Sequence, residues 1–268
     1  MKMESFDVVI LSDLHLGSGI SRADEALDLL GSLRFQRLIL LGDIFCDLNF
    51  RRLNRQHWLL LSHIRKLSDW GCEVVWVEGN HDLGLTDVMA HLVGVQVHHE
   101  YIWESSGERF LAIHGHQFDG FIAKSHPRMR GMINCLYLLL QKFSSKGRAI
   151  ARYIDHLNTQ WQRLTPKVAE GALAYARLRG ATRVFCGHTH RKTTFADNGI
   201  VYYNTGAWSN NRPSYITILE REVTINEYIR RIDNRHTRQE RRKVAASSSE
   251  LAGEAGLLPD VEYEGVCR

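Results

Sequence analysis

The sequence predicts an α/β fold in which several strands run parallel. Two patterns carry that expectation. Short apolar runs alternate with amphipathic helical stretches through the first half of the chain. Each apolar run then stops at a polar cluster rich in Asp, Asn, His and Gly. In open parallel sheets the carboxyl ends of the strands share one edge, and ligands bind there. Alternate residues at a strand end can point to the same side. Several separate clusters therefore become one candidate site.

Phe6 to Leu11 reads as the first strand, with Val8, Val9, Ile10 and Leu11 as a buried run before Asp13-Leu14-His15. On its own, Asp-x-His also fits a polar surface turn. Ser21-Arg22-Ala23-Asp24 has the form of a capping box. Ala23, Ala26, Leu27, Leu30 and Leu33 then recur at helical spacing. A second strand, Arg37 to Leu41, ends in Gly42-Asp43. A helix from roughly Leu53 to Trp70 closes at Gly71. A third strand, Glu73 to Val77, ends in Gly79-Asn80-His81-Asp82. Short strands near Val95–His98 and Tyr101–Glu104 precede Arg109 to Ile113, which ends in His114-Gly115-His116. Thr165-Pro166 starts a fresh helix, with Pro at its first position, that runs to Arg179 and closes at Gly180. Strand Thr182 to Cys186 ends in Gly187-His188-Thr189-His190. Beyond it, Asp197-Asn198-Gly199 is a hairpin signal and Asn204-Thr205-Gly206 ends another strand.

Between the two halves the alternation breaks. Residues 117–164 read as helices, with Met132, Ile133, Leu136, Tyr137, Leu140 and Phe143 on one face and a basic polar side. Such helices pack on their own domain by default. The sharper alternative is a lid whose apolar side shelters lipid chains while Arg and Lys meet anionic headgroups at a membrane surface. From Arg230 an Arg-rich stretch runs into a small-residue, mildly acidic end. The expected organisation is a catalytic domain over 1–230, carrying a helical insertion at about 117–165, then a basic and flexible tail over 231–268.

The net charge of +4 is compatible with anionic substrates and does not demand nucleic acid. Five cysteines without a C-x-x-C pair point to a reducing compartment and away from a disulfide frame or thiolate metal site. The N-terminus has no secretory pattern and the longest apolar run is too short to span a bilayer, so the expected location is cytoplasmic.

Collected, the strand ends offer Asp13, His15, Asp43, Asn80, His81, His114, His188 and His190. This carboxylate, imidazole and amide set without sulfur suits divalent Mn, Fe or Zn. It is too large for one tetrahedral ion and sufficient for two ions sharing a carboxylate. A pair of ions about 3.5–4 Å apart can clamp the attacking and leaving oxygens of phosphoryl transfer and acidify a bound water.

In order and spacing, Asp13-Leu14-His15, Gly42-Asp43, Gly79-Asn80-His81-Asp82, His114 and Gly187-His188-Thr189-His190 resemble the signature of the calcineurin-like metallophosphoesterases. The resemblance covers roughly Phe6 to Ile229. It implies a four-layer α/β/β/α sandwich with a two-metal site, manganese foremost. It places Asp13, His15 and His190 on the first ion, Asn80, His114 and His188 on the second, and Asp43 between them. It makes His81 the group beside the leaving oxygen, with Asp82 orienting its ring. His114-Gly115-His116-Gln117-Phe118-Asp119, His188-Thr189-His190-Arg191 and Asn204-Thr205-Gly206-Ala207-Trp208 are similar to the branch containing the UDP-2,3-diacylglucosamine pyrophosphatases of lipid A synthesis. That branch implies a nucleotide-lipid substrate cleaved to UMP and a lipid phosphate, at the inner face of the membrane. The best-known members have Arg where this chain has His81.

Arg191 is a candidate phosphate contact or a surface residue. His116 is a candidate neighbour of substrate, and Asp119 reads as a cap for the insertion. His57, His63, His91, His98, His99, His126, His156 and His236 read as structural. Three rivals stand beside the main reading: a soluble-nucleotide phosphodiesterase or phosphatase, a metal-bound scaffold with little catalysis, and a nuclease. The last lacks an evident DNA-capping domain. The oligomeric state is not legible.

Overall fold

The computed structural model describes residues 4–85, 88–89, 91, 93–119 and 159–230, with backbone alone for 159–164. Apart from 117–119 and the chain from 159 onward, the expected insertion lies outside the described residues. So does the tail over 231–268. By its contacts the chain forms two units, Met1–Tyr228 and Ile229–Arg268. All the elements below belong to the first.

Two sheets stack face to face. The first has six strands: β1 (Ser5–Leu11), β2 (Arg34–Leu41), β3 (Glu73–Val77), β4 (Val97–His98), β10 (Ser214–Leu219) and β11 (Glu222–Glu227), in spatial order β11-β10-β1-β2-β3-β4. The second has five: β5 (Tyr101–Ser105), β6 (Glu108–Ala112), β7 (Arg183–Cys186), β8 (Thr193–Asp197) and β9 (Ile200–Asn204), in order β5-β6-β7-β9-β8. The expected parallel strands are present, divided between the sheets. β1–β4 run parallel in one, and β6, β7 and β9 in the other. Antiparallel strands β10, β11, β5 and β8 complete the edges.

Strand alternation builds the layers. Val8, Ile10, Ile39, Leu41, Val75 and Val77 point between the sheets, against Trp103, Phe110, Ala112 and Phe185. Val9, Leu11, Leu38, Leu40 and Trp76 point the other way, under helices α1 (Ala23–Ser32) and α2 (Arg55–Asp69). Leu111, Val184, Cys186 and Tyr202 on the outer face of the second sheet meet Ala169, Ala172, Leu173 and Ala176 of α3 (Thr159–Leu178). The architecture is α/β/β/α. Strands buried on both faces read as unbroken apolar runs, which is why β1 and β2 stand out in the sequence.

The helix ends differ from expectation in three places. Ser21 does not cap α1. Its hydroxyl donates to the carbonyl of Leu14 (2.9 Å), and the N-cap position is Arg22, without a side-chain cap. At α2 the cap is Asn54, whose Oδ1 accepts from the Gln56 and His57 N–H groups at 2.9 and 3.1 Å. The His57 ring answers by accepting the Asn54 N–H (3.2 Å) and also the Gly17 N–H (3.3 Å), so His57 is structural as expected. The C-terminus of α2 ends as predicted: the Gly71 N–H reaches Ser68 O and the Cys72 N–H reaches Leu67 O, both at 3.0 Å, with Gly71 at φ +89°. Helix α3 starts at Thr159 and carries Pro166 inside it. Good helix formers just before the proline extend the helix backwards, although Pro166 has no N–H for the preceding turn. Among the described residues no helix is long and apolar enough to cross a membrane.

Candidate metal centre

Five strand ends deliver the candidate ligands: Asp13 and His15 follow β1, Asp43 follows β2, Asn80 and His81 follow β3, His114 follows β6, and His188 and His190 follow β7. Both sheets therefore contribute to one site. Asp13, His15, Asp43, His188 and His190 all have left-handed backbones, with φ between 46° and 63°. A non-glycine residue there costs about 1–3 kcal/mol, a strain that concentrates at functional sites. It turns the chain sharply as each strand ends.

The side chains form three overlapping groups that could hold an ion, with ligand atoms within 4.8 Å of one another: Asp13, His15 and His190; His15, Asp43 and His81; Asp43, His114 and His188. In the first, His190 Nε2 lies 3.1 Å from Asp13 Oδ1 and 3.2 Å from His15 Nε2. In the third, His114 Nε2 lies 3.3 Å from Asp43 Oδ2. Asp13 Oδ1, Asn80 Oδ1 and His114 Nε2 are buried without a hydrogen-bond partner. Buried polar atoms are normally paired, so three such atoms at one strand edge fit a site that binds a cation.

The surrounding bonds fix which atoms face inward. Asp13 Oδ2 accepts from Ser12 Oγ (2.5 Å) and from the His188 N–H (3.2 Å), leaving Oδ1 for an ion. Ser12 Oγ also meets Thr205 Oγ1 and Gly206 O. Asn204 Nδ2 donates to Gly187 O (2.6 Å), tying the end of β9 to the His188 loop. The His114 Nδ1–H donates to Leu41 O at 2.8 Å, which turns Nε2 toward Asp43. Glycines make the close approaches. A Cβ on Gly79 would sit 2.2 Å from Asp43 Oδ1, one on Gly42 2.3 Å from His114 Nδ1, and one on Gly187 2.5 Å from Asp13 Oδ2.

Burial opposes ionisation of both Asp13 and Asp43. The His190 charge beside Asp13 holds its carboxyl below the usual value, and His114 with His81 holds Asp43 well below. Burial, then His190, push His15 down to about 3, and burial lowers His188, so both rings are neutral. His114 behaves oppositely. Burial would lower it, but Asp43 outweighs burial and raises it to about 9. Two ionised carboxylates, neutral imidazoles and one ring that gives up its proton on loading form a donor set suited to divalent cations.

The expected role of Asp82 is corrected. Its carboxylate accepts from the N–H groups of Ile44 (3.1 Å), Phe45 (3.0 Å) and Gly79 (3.4 Å). The ring of His81 is held instead through Nδ1 by Cys46 O (2.8 Å), with the His81 N–H on Asp43 Oδ1 (2.9 Å). Asp82 thus locks the β2 loop to the β3 loop. Burial, reinforced by Asp43, raises its pKa to about 6. Arg191 is exposed beside His190. His116 packs its ring 5.6 Å from that of His114 and 6.4 Å from that of His188. Asp119, expected as a cap, is buried with Oδ2 3.2 Å from His188 Nε2. Ser12 is a supporting residue that patterning missed, since nothing in its spacing distinguishes it from an ordinary strand end, whereas Asn204 and Thr205 stood in a quoted motif that assigned them no role.

The calcineurin-like phosphoesterase family matches residues 6–192, from β1 to just past His190. The chain is 28% identical over 232 residues to the UDP-2,3-diacylglucosamine hydrolase of Neisseria gonorrhoeae, covering 78% of this chain and 92% of that one. It is 33% identical over 82 residues to the protein of that name from Porphyromonas gingivalis, covering 30% and 29%. Among solved structures, an archaeal phosphodiesterase is similar at 13% identity and a TM-score of 0.45, covering 82% of this chain and 98% of that one. The family uses a dinuclear divalent metal site, and the matched span contains every ligand assembled above. By that match the chain belongs to the calcineurin-like phosphoesterase family and is a metal-dependent hydrolase.

Proposed function

We propose that the protein hydrolyses the pyrophosphate of a UDP-2,3-diacylglucosamine-like nucleotide-lipid, with manganese in both metal positions, at the inner face of the membrane. The observation that carries this reading is the sharing of Asp43 and His15 between ligand groups, which lets one cluster hold two ions. The relatives named UDP-2,3-diacylglucosamine hydrolase support the substrate class. When bound, two divalent ions supply positive charge for the phosphoryl oxygens and an acidified water as nucleophile. Asp13, His15 and His190 would hold one ion, and Asn80, His114 and His188 the other, with Asp43 common to both.

The chain's own groups do the rest. The Asp82 carboxylate fixes the two loops that carry Asp43 and Asn80. The Cys46 carbonyl takes the proton on His81 Nδ1, so Nε2 is the nitrogen that faces Asp43, at 3.9 Å. In its imidazolium form His81 places a proton on Nε2, where a leaving phosphate oxygen can take it. Hydrolysis breaks one bridging P–O bond and joins the water oxygen to the attacked phosphorus. One water proton is released and one proton ends on the leaving phosphate or in solvent.

The test is an assay of purified protein with Mn(II), in which UDP-2,3-diacylglucosamine competes with simple nucleotide diesters and UMP release is measured. Preferential UMP release supports the reading. Faster turnover of soluble diesters replaces it with a nucleotide phosphodiesterase. Two bound ions with no phosphoester cleavage replaces it with a scaffold.

A further inference from the structure

Asp119 lies next to the second ion position and takes no part in the hydrolytic scheme. It follows the short helical turn His116–Phe118 after β6 and is 1% exposed. Its Oδ2 lies 3.2 Å from Nε2 of His188, and both side chains are almost fully buried. Removing a carboxylate from water is costly unless a strong partner compensates. The imidazole of His188 compensates it here, and that ring also belongs to the Asp43 and His114 group.

An imidazole has two nitrogens, and a neutral ring carries one proton. An ionised carboxylate can only accept. Facing Nε2, it draws the ring proton to that nitrogen and leaves the lone pair on Nδ1. His114 reaches the same end by a different route: its Nδ1–H donates to the Leu41 carbonyl, so once the ring is neutral its lone pair is on Nε2. The two rings stand at 66° to each other, 5.3 Å between centroids. Each thus presents the opposite nitrogen, fixed by a different acceptor. A carboxylate on the far nitrogen also raises the basicity of the near one, more than a neutral carbonyl does.

We propose that Asp119 is a positioning residue for the second ion: it fixes His188 in the Nε2–H tautomer, so that Nδ1 is the metal-binding atom. The inference rests on the reading that the cluster holds two ions, and the experiment separates the two. Nothing in it requires Asp119 to touch the metal or the substrate.

The experiment uses the full chain, its Asp119→Asn and Asp119→Ala variants, and His188→Gln for assignment. Metal-free protein labelled with 15N at histidine is examined by long-range 1H–15N correlation, which reports the protonated nitrogen of each ring. Manganese is then titrated into each protein, and thermal midpoints are recorded without metal. The expected wild-type result is His188 protonated at Nε2 and two bound ions. In Asp119→Asn the expected result is a second ion weakened by about 10- to 100-fold, with the first ion unchanged. Its amide can offer either oxygen or N–H, so the His188 signals should shift toward a tautomer mixture. Asp119→Ala should show a larger loss. A wild-type His188 protonated at Nδ1 overturns the proposal whether or not any variant folds. Equal weakening of both ions together with a lower metal-free midpoint also overturns it, since that is a general structural effect. Fewer than two ions on the wild-type protein, with His188 protonated at Nε2, removes the two-ion reading and the proposal's second site with it.

Discussion

Nε2 of His114 lies 3.3 Å from Oδ2 of Asp43, and both side chains are buried away from solvent. In the metal-free protein the ring is protonated up to about pH 9, held there by Asp43 against the cost of burial. An ion must displace that proton. Manganese affinity should therefore rise with pH until it levels near 9, with proton release measurable by calorimetry in buffers of different ionisation enthalpy. The metal-free fold should show the opposite dependence. A histidine raised from 6.5 to about 9 contributes stability that is complete below 6.5 and lost as pH rises through 9. Denaturation of the metal-free protein across that window checks the sign.

Replacing Asp43 removes the shared carboxylate. Asp43→Ala should abolish both bound ions and phosphoester turnover together, by at least about 10³-fold, because Asp43 is the acceptor facing His114 and His81 and the link between ligand groups. Metal content by elemental analysis and turnover under saturating Mn(II) are the measurements. Full turnover by protein with no bound metal would end the two-ion scheme.

Much of this site was legible because each ligand sits directly after a buried strand. The runs ending at Leu11, Leu41 and Cys186 stop where the fold needs polar side chains, and glycines at 42, 79 and 187 are required by contacts under 2.6 Å to their Cβ positions. Those glycines are part of the pattern that the family resemblance reads. What the pattern could not carry was partner choice between distant segments. Ser12 meets Thr205 across 193 residues of chain, and Asp119 meets His188 across 69. Neither pairing leaves a periodic trace. Asp82 was misassigned for a related reason: adjacency in Asn80-His81-Asp82 suggested that it serves His81, whereas a sharp turn aims it back at the β2 loop. The Ser21 cap failed because its hydroxyl had a nearer carbonyl at Leu14.

The corrected roles of Asp82 and His81 predict opposite phenotypes for neighbouring residues. Asp82→Ala leaves three N–H donors, on Ile44, Phe45 and Gly79, without their acceptor and should destabilise the protein by about 3–5 kcal/mol. His81→Ala removes a ring that is one-third exposed. Its stability should fall by less than about 1 kcal/mol. Turnover should drop by about 10²- to 10⁴-fold if the ring moves a proton. Urea denaturation alongside steady-state kinetics of both variants separates the cases. Equal destabilisation by both would mean that His81 is a packing residue.

Gly79 offers a test of the close packing that brings the β2 and β3 loops together. A Cβ there would lie 2.2 Å from Asp43 Oδ1 and 2.3 Å from the Asp43 backbone nitrogen. A side chain could swing away, but the backbone nitrogen cannot without moving the loop. Gly79→Ala should cost about 3 kcal/mol or more and displace Asp43 from both ligand groups, so metal binding falls with stability. Gly71→Ala is the matched control. It has φ +89° and nothing within 4 Å of its Cβ, so it should show strain of only about 1–2 kcal/mol at the end of α2. Its manganese stoichiometry should stay at the wild-type value. Unchanged metal binding in Gly79→Ala would show that the β3 loop can retreat without taking Asp43 along, and the tight coupling argued between those loops would be wrong.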